Sequence, residues 1–159
     1  MKLKNKALFK GKVTLTFKNE KTGKIRVFEY DNLVVNTGLY SIAARLTGAD
    51  IPANTKGVIT YCAVGTGTDA PAAGDTELQT ELARKQIADR DPVSGVATFR
   101  TYFNTGEANG TLKECGLFGD DATAVADSGT LFCRAVIDKE KTSANSLTVD
   151  WEISVADVV

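Results

Sequence analysis

The sequence predicts a mainly β chain: an antiparallel β-sandwich or partly open barrel, with an N-terminal hairpin and one short helix packed on the sheet. Three observations carry that expectation. Residues Leu147 to Val155 alternate without a break, with Leu147, Val149, Trp151, Ile153 and Val155 against Thr148, Asp150, Glu152 and Ser154. A period of two is what a half-buried strand requires, because successive side chains leave opposite faces. Two further alternating runs, Lys12–Lys18 and Lys24–Val35, flank Asn19-Glu20-Lys21-Thr22-Gly23, a turn with glycine near its end, and so form a hairpin. Short extended segments then recur along the chain, separated by turn signals, as in sandwiches and barrels.

Taken in order, residues 1–7 form a lysine-rich arm (Lys2, Lys4, Lys6) that reads as a solvated terminus, with partner-subunit or nucleic-acid contact as the other readings. In the hairpin, Val13, Leu15 and Phe17 share one face of the first strand. The second strand has Ile25, Val27 and Glu29 on one face and Arg26, Phe28 and Tyr30 on the other. Asp31-Asn32 marks a bulge or bend. At Asn36-Thr37-Gly38 the period changes. Leu39, Ile42, Ala43 and Leu46 fall at i, i+3, i+4 and i+7, one face of a helix over about 38–47. Asn36 or Thr37 is the expected N-cap, Gly48 the C-cap, and the Leu/Ile stripe the buried face. A loop over 48–56 contains Pro52, and Val58–Val64 is a buried strand.

Residues 65–75, Gly65-Thr66-Gly67-Thr68-Asp69-Ala70-Pro71-Ala72-Ala73-Gly74-Asp75, form a long small-residue loop. Glycines after a strand invite a phosphate-loop reading. No Gly-Lys-Ser/Thr follows, so the expectation is a surface connection whose glycines permit φ > 0 turns. Thr76–Ala88 is ambiguous: Leu78 and Leu82 are four apart, yet the segment also leads into a strand at Lys85–Arg90. Asp91-Pro92-Val93-Ser94-Gly95 is a turn. Val96–Phe103 is a strand apolar on both faces, which suggests a central position or a subunit contact. Leu112–Phe118 is extended, residues 119–129 form a polar, alanine-rich loop, Thr130–Ile137 is a strand, and 138–145 a charged loop.

Composition bounds the function. At 159 residues and 43% apolar, the chain is long enough for one domain with a packed core. Residues 1–30 read as arm and hairpin, a candidate anchor, and 31–159 as the sandwich, within one continuous folding unit. The formal charge of −1 points to neither nucleic acid nor membrane. No apolar run spans a bilayer, and Ala7-Leu8-Phe9 is too short for the apolar part of a signal peptide. Histidine is absent, which removes the commonest general base and metal ligand. Cys62, Cys115 and Cys133, an odd set without a Cys-x-x-Cys pair, read as reduced thiols buried in strands.

Asp89 with Asp91, and Glu77 with Glu81, have no aromatic interleaved to hold a sugar, and read as solvated surface charge. Asp120, Asp121 and Asp127 are oxygen ligands suited to Ca²⁺, but their spacing matches no calcium loop. No catalytic, cofactor or metal residue is expected.

Four segments resemble a family of small structural proteins from tailed bacteriophages. They are Asn32-Leu33-Val34-Val35-Asn36-Thr37-Gly38-Leu39, Ala63-Val64-Gly65-Thr66-Gly67-Thr68-Asp69-Ala70-Pro71, Glu114-Cys115-Gly116-Leu117-Phe118, and Gly129-Thr130-Leu131-Phe132-Cys133-Arg134-Ala135-Val136. The segment from Lys141-Thr142 through Leu147-Thr148-Val149-Asp150-Trp151 fits as well. In order and spacing the resemblance covers about residues 30–155; residues 1–30 match less well. It implies a non-enzymatic virion component of tail-fibre, minor-tail or capsid-decoration type, made in the host bacterial cytoplasm. Its partners would be further copies of itself, with a trimer expected by analogy, and other virion proteins of capsid, neck or tail. The loops near 65–75 and 119–129 are the expected partner contacts, with Thr66, Thr68, Asp69, Asp120, Asp121 and Asp127 as candidate residues. The rival reading is a host-receptor or glycan-binding module at a fibre tip. Tyr61, Phe99, Tyr102, Phe103, Phe118, Phe132 and Trp151 all fall in expected strands rather than loops, which counts against it.

Overall fold

The computed structural model describes residues 7–48, 58–119 and 121–157. The arm lysines, Pro52 and Asp120 lie outside the described residues. The chain is mainly β. Its strands are β1 (Ala7–Asn19), β2 (Ile25–Val34), β3 (Ile59–Gly65), β4 (Glu81–Gln86), β5 (Asp89–Val93), β6 (Val96–Phe103), β7 (Gly110–Gly119), β8 (Thr130–Lys141) and β9 (Asn145–Asp157), with one helix, α1 (Asn36–Thr47). All pairings are antiparallel, in the order β4-β3-β7-β8-β2-β1-β9-β6-β5.

The two edge strands, β4 and β5, are consecutive in the chain, and only Ile87-Ala88 joins them. Ile87 N–H donates to Thr60 O of β3 at 2.8 Å, and Ala88 N–H donates to Arg100 O of β6 at 2.9 Å. A two-residue link that touches both ends of a nine-stranded sheet forces the sheet to curl until its edges face each other. This is the partly open barrel that the alternating runs predict, and curling leaves little free edge for stray pairing.

The final strand is the organiser. β9 pairs with β1 from Ala7↔Asp157 to Asn19↔Asn145, and with β6 on its other side. Its inward residues Leu147, Val149, Trp151 and Ile153 are buried against Val13, Leu15 and Phe17. Trp151 Nε1–H donates across the interior to Cys62 Sγ of β3 at 3.4 Å, so one side chain joins the two halves of the curled sheet. All three cysteines are buried, and burial pushes the Cys62 thiol up to about 12. The hairpin holds as expected: Asn19 Oδ1 accepts from the N–H groups of Lys21 and Thr22, and Gly23 takes φ 71. β2 runs through Asp31-Asn32 as regular strand without the expected bulge or any shift in register against β1; beyond Asn32 it pairs with β8.

Five expectations need correction. In α1 the buried residues are Gly38, Ser41 and Ala44, while Leu39 and Leu46 are exposed. A Cβ on residue 38 would lie 2.2 Å from Phe132 O, so the helix rests on β8 through its smallest side chains. The N-cap is Val35, without a side-chain cap bond, and the Thr37 hydroxyl donates instead to Leu131 O at 2.6 Å; Gly48 closes the other end at φ 67, as expected. Asp91-Pro92-Val93 belongs to β5, and the turn is Ser94-Gly95 alone, both at positive φ. Proline is tolerated there because β5 is an edge strand. β6 is not central but lies next to that edge. The charged loop after Ile137 is two strand ends: β8 runs to Lys141, whose buried ammonium donates to Asn104 O and Asn109 Oδ1 at 2.8 and 3.0 Å.

Candidate functional site

The outer face of the β3-β7-β8 region is apolar as well. Val35, Ala63, Leu78, Phe118 and Leu131 form a second small core there, beneath α1 and the loops over 66–80 and 121–129. Strands covered on both faces read as near-continuous apolar runs, which is how Ile59–Gly65 and the second half of Gly110–Gly119 appear. Two buried ionic clusters hold the loops onto this face.

The first centres on Glu114 of β7, which is wholly buried. Its Oε1 accepts from Gly67 N–H at 2.9 Å and Thr80 N–H at 2.7 Å. Its Oε2 accepts from Gln79 N–H at 2.9 Å and from Arg134 Nε at 3.0 Å and Nη2 at 2.8 Å. Arg134 also reaches Asp75 Oδ2 at 2.8 Å and Asp69 O at 3.0 Å. Both ends of the 66–80 loop are thereby tied to one carboxylate. The glycine-rich stretch does gather N–H groups around an anion, but the anion is a side chain of the same protein. Gly65 and Gly67 serve close approach and not φ > 0 turns: a Cβ at Gly65 would lie 2.4 Å from Thr80 O, and at Gly67 2.4 Å from Glu114 Oε1.

The second cluster centres on Arg84 and Glu81 of β4. The guanidinium donates from Nε and Nη2 to the two Glu81 oxygens at 2.6 and 2.7 Å, a bidentate pair with both side chains 2% exposed. It stacks over Phe118, 4.5 Å from the ring centroid. Nη1 donates to Thr123 O, Ser128 O and Ser128 Oγ, and Asp127 N–H donates to Glu81 Oε2 at 3.2 Å. This anchors the 121–129 loop. Glu81 is therefore a buried partner and not the solvated charge that its spacing from Glu77 suggests. Asp89 and Asp91 are exposed on β5, as expected.

Of the candidate contact residues, Thr66, Thr68, Asp69, Asp121 and Asp127 are all exposed, on two loops that share one face. Asp69 also braces its loop, accepting from Gln79 Nε2 at 2.7 Å. Among the described residues, no group of three or more His, Cys, Asp or Glu side chains is placed to share a metal ion. What sequence reasoning missed is the pair of buried ionic hubs, Glu114–Arg134–Asp75 and Glu81–Arg84. The available signal was a charge in the middle of an apolar strand, as at Glu114 and Arg134.

Asp75 gives this arrangement a pH signature. Burial alone raises its pKa, but the Ala72 N–H and the Arg134 guanidinium outweigh burial and hold the carboxyl below its usual 3.8. A folded pKa below the unfolded one means that the native state binds fewer protons. The stabilisation is therefore complete above the unfolded value and is lost as pH falls through the folded one. Asp75→Asn should lower stability at pH 7 and flatten the acid limb below about pH 4. Urea titrations of both proteins at a series of pH values check this; parallel acid limbs would refute it.

No family model, curated protein or solved structure matches the chain.

Proposed function

We propose that the chain is a non-enzymatic structural component of a tailed-bacteriophage virion, of tail-fibre, minor-tail or capsid-decoration type. It acts by forming a homo-oligomer, with a trimer as the expected state, and by docking to other virion proteins. The observation that carries this reading is the pair of exposed loops held rigid on one covered sheet face by buried ion pairs. A preformed loop surface binds a partner without a large ordering cost. The ordered set of motifs that resembles virion proteins supplies the class. Exposed apolar side chains, among them Tyr40 and Leu46 on α1 and Ile25 and Val27 on β2, supply surface for subunit contacts.

The test is the mass of the purified protein in solution, alone and after mixing with empty capsids or with tails. A closed oligomer that binds one of them is expected. Thr68→Arg and Asp121→Arg, both on exposed positions, should weaken that binding at least tenfold without changing the oligomer mass. A monomer that binds neither particle would overturn the reading.

One observation favours the rival glycan-binding reading. Tyr102 lies in a strand but points outward, 45% exposed, beside Thr16, Thr148 and the Arg100–Asp150 ion pair. An aromatic ring among hydroxyls and a bidentate pair is the kind of surface a sugar uses. Specific signal on a glycan array, abolished by Tyr102→Ala, would decide for it.

A further inference from the structure

Among the described residues one end of the curled sheet is open, and its mouth is an apolar pocket of about 310 Å³. Phe9 of β1, Ile42 of α1, Phe99 of β6, Phe132 of β8 and Ile153 of β9 line it, with Arg45 of α1 among them. The walls come from five different elements of one sheet and its helix, so the shape is set by the fold. Phe9, Ile42 and Phe99 are only partly buried, each packed on the main core on one side and open to the pocket on the other. The volume lies at the lower end of the range for small-molecule sites, and barrel mouths are among the places where such sites occur.

Arg45 sets the chemistry. Among the described residues it is the only charged one lining the pocket, and its guanidinium makes no ion pair or hydrogen bond with any of them. Arg45 is exposed at the pocket rim, whereas the buried Arg84 and Arg134 are matched, the first with Glu81 and the second with Glu114 and Asp75. A planar fork of donors at the edge of an apolar cavity fits one carboxylate. A phosphate, with about two charges and three strong acceptor oxygens, asks for more donors than this rim supplies.

We propose that the mouth of the curled sheet binds a straight-chain aliphatic carboxylate, its tail in the apolar pocket and its head on Arg45. This goes beyond the virion reading and stands apart from the loop surface. The tail supplies most of the affinity. The helix C-terminus next to Arg45 carries partial negative charge and offsets part of the attraction for an anion, so the head group mainly selects.

The experiment is displacement of a dansyl-labelled undecanoate from the full chain by alkanoates from hexanoate to tetradecanoate, with the matching alkanols in parallel. Affinity should rise about fourfold per methylene, the value of one buried CH₂, and level off once the pocket is full. Alkanoates should bind about tenfold more tightly than alkanols of equal length, the worth of a hydrogen bond to a charged group. Arg45→Gln should erase the alkanoate preference and keep the chain-length slope. Ile42→Trp and Ala97→Phe, both at residues that line the pocket, are two independent ways to fill it and should each abolish displacement, with circular dichroism as the check on folding. No displaceable binding overturns the proposal. So does a slope without a plateau that persists in the folded pocket-filling variants, which is detergent-like adsorption, and so does an alkanoate preference that survives Arg45→Gln.

Discussion

Glu114→Gln is expected to lower the unfolding free energy by about 3–5 kcal/mol, the cost of removing one partner from a buried ion pair. The substitution is isosteric, so it leaves no cavity and tests charge and acceptor capacity alone. Oε1 and Oε2 together accept from three backbone N–H groups and from Arg134. An amide replaces one acceptor by a donor pointed at donors, and it leaves the buried Arg134 with Asp75 as its remaining carboxylate. Many buried ion pairs can be exchanged for apolar residues at little loss. That should fail here: with leucine at both 114 and 134, the N–H groups of Gly67, Gln79 and Thr80 would still lack acceptors, at about 1–3 kcal/mol for each buried one. Urea denaturation measures the total. Hydrogen exchange locates it: amides 67, 79 and 80 should lose protection in Glu114→Gln, while the β1–β9 ladder keeps its own. A loss under about 1 kcal/mol would show that the carboxylate is not the anchor of the loop.

The legibility of this fold divides along a physical line. Where one face of a strand is buried and the other wet, the alternation is written in the sequence, and β1 and β9 could be read from it. Where both faces are covered, alternation vanishes, and the outward phase of β7 and β8 becomes a place for Glu114 and Arg134, whose one mark in the sequence is a charge set within an apolar strand. The helix was found by its period but assigned the wrong face. Leu39, Ile42, Ala43 and Leu46 carry the hydrophobic signal, yet contact with β8 selects Gly38, Ser41 and Ala44, because a backbone at van der Waals distance leaves room only for small side chains. The same close approach explains Gly65 and Gly67, which sequence reasoning attributes to turns. The link Ile87-Ala88 was invisible for another reason: that β4 and β5 lie at opposite ends of the sheet depends on seven other strands. Of the candidate contact residues, exposure was legible from polar, small-residue loops, but the clusters that fix those loops come from residues far apart in the chain.

Trp151→Ala should have a comparable or larger effect, about 3–5 kcal/mol, from the opposite kind of interaction. The indole is wholly buried and sits in register between Val13 of β1 and Phe99 of β6. Its N–H reaches Cys62 on β3, in the other half of the sheet. Truncation removes apolar contact from both halves at once, and the strands cannot collapse into the gap because β9 is held by ladders on both sides. Trp151→Phe separates the parts: it keeps most of the apolar volume and loses the N–H to a weak sulfur acceptor, so it should cost less than half as much as alanine. Thr148→Ala, on the outward phase of the same strand, should stay within about 0.5 kcal/mol. The three variants, compared by urea denaturation, test whether the inward phase of β9 closes the barrel. If Trp151→Ala unfolds as late as Thr148→Ala, the two sheet halves are held by their ladders and by the link at Ile87-Ala88, and the tryptophan only fills space between them.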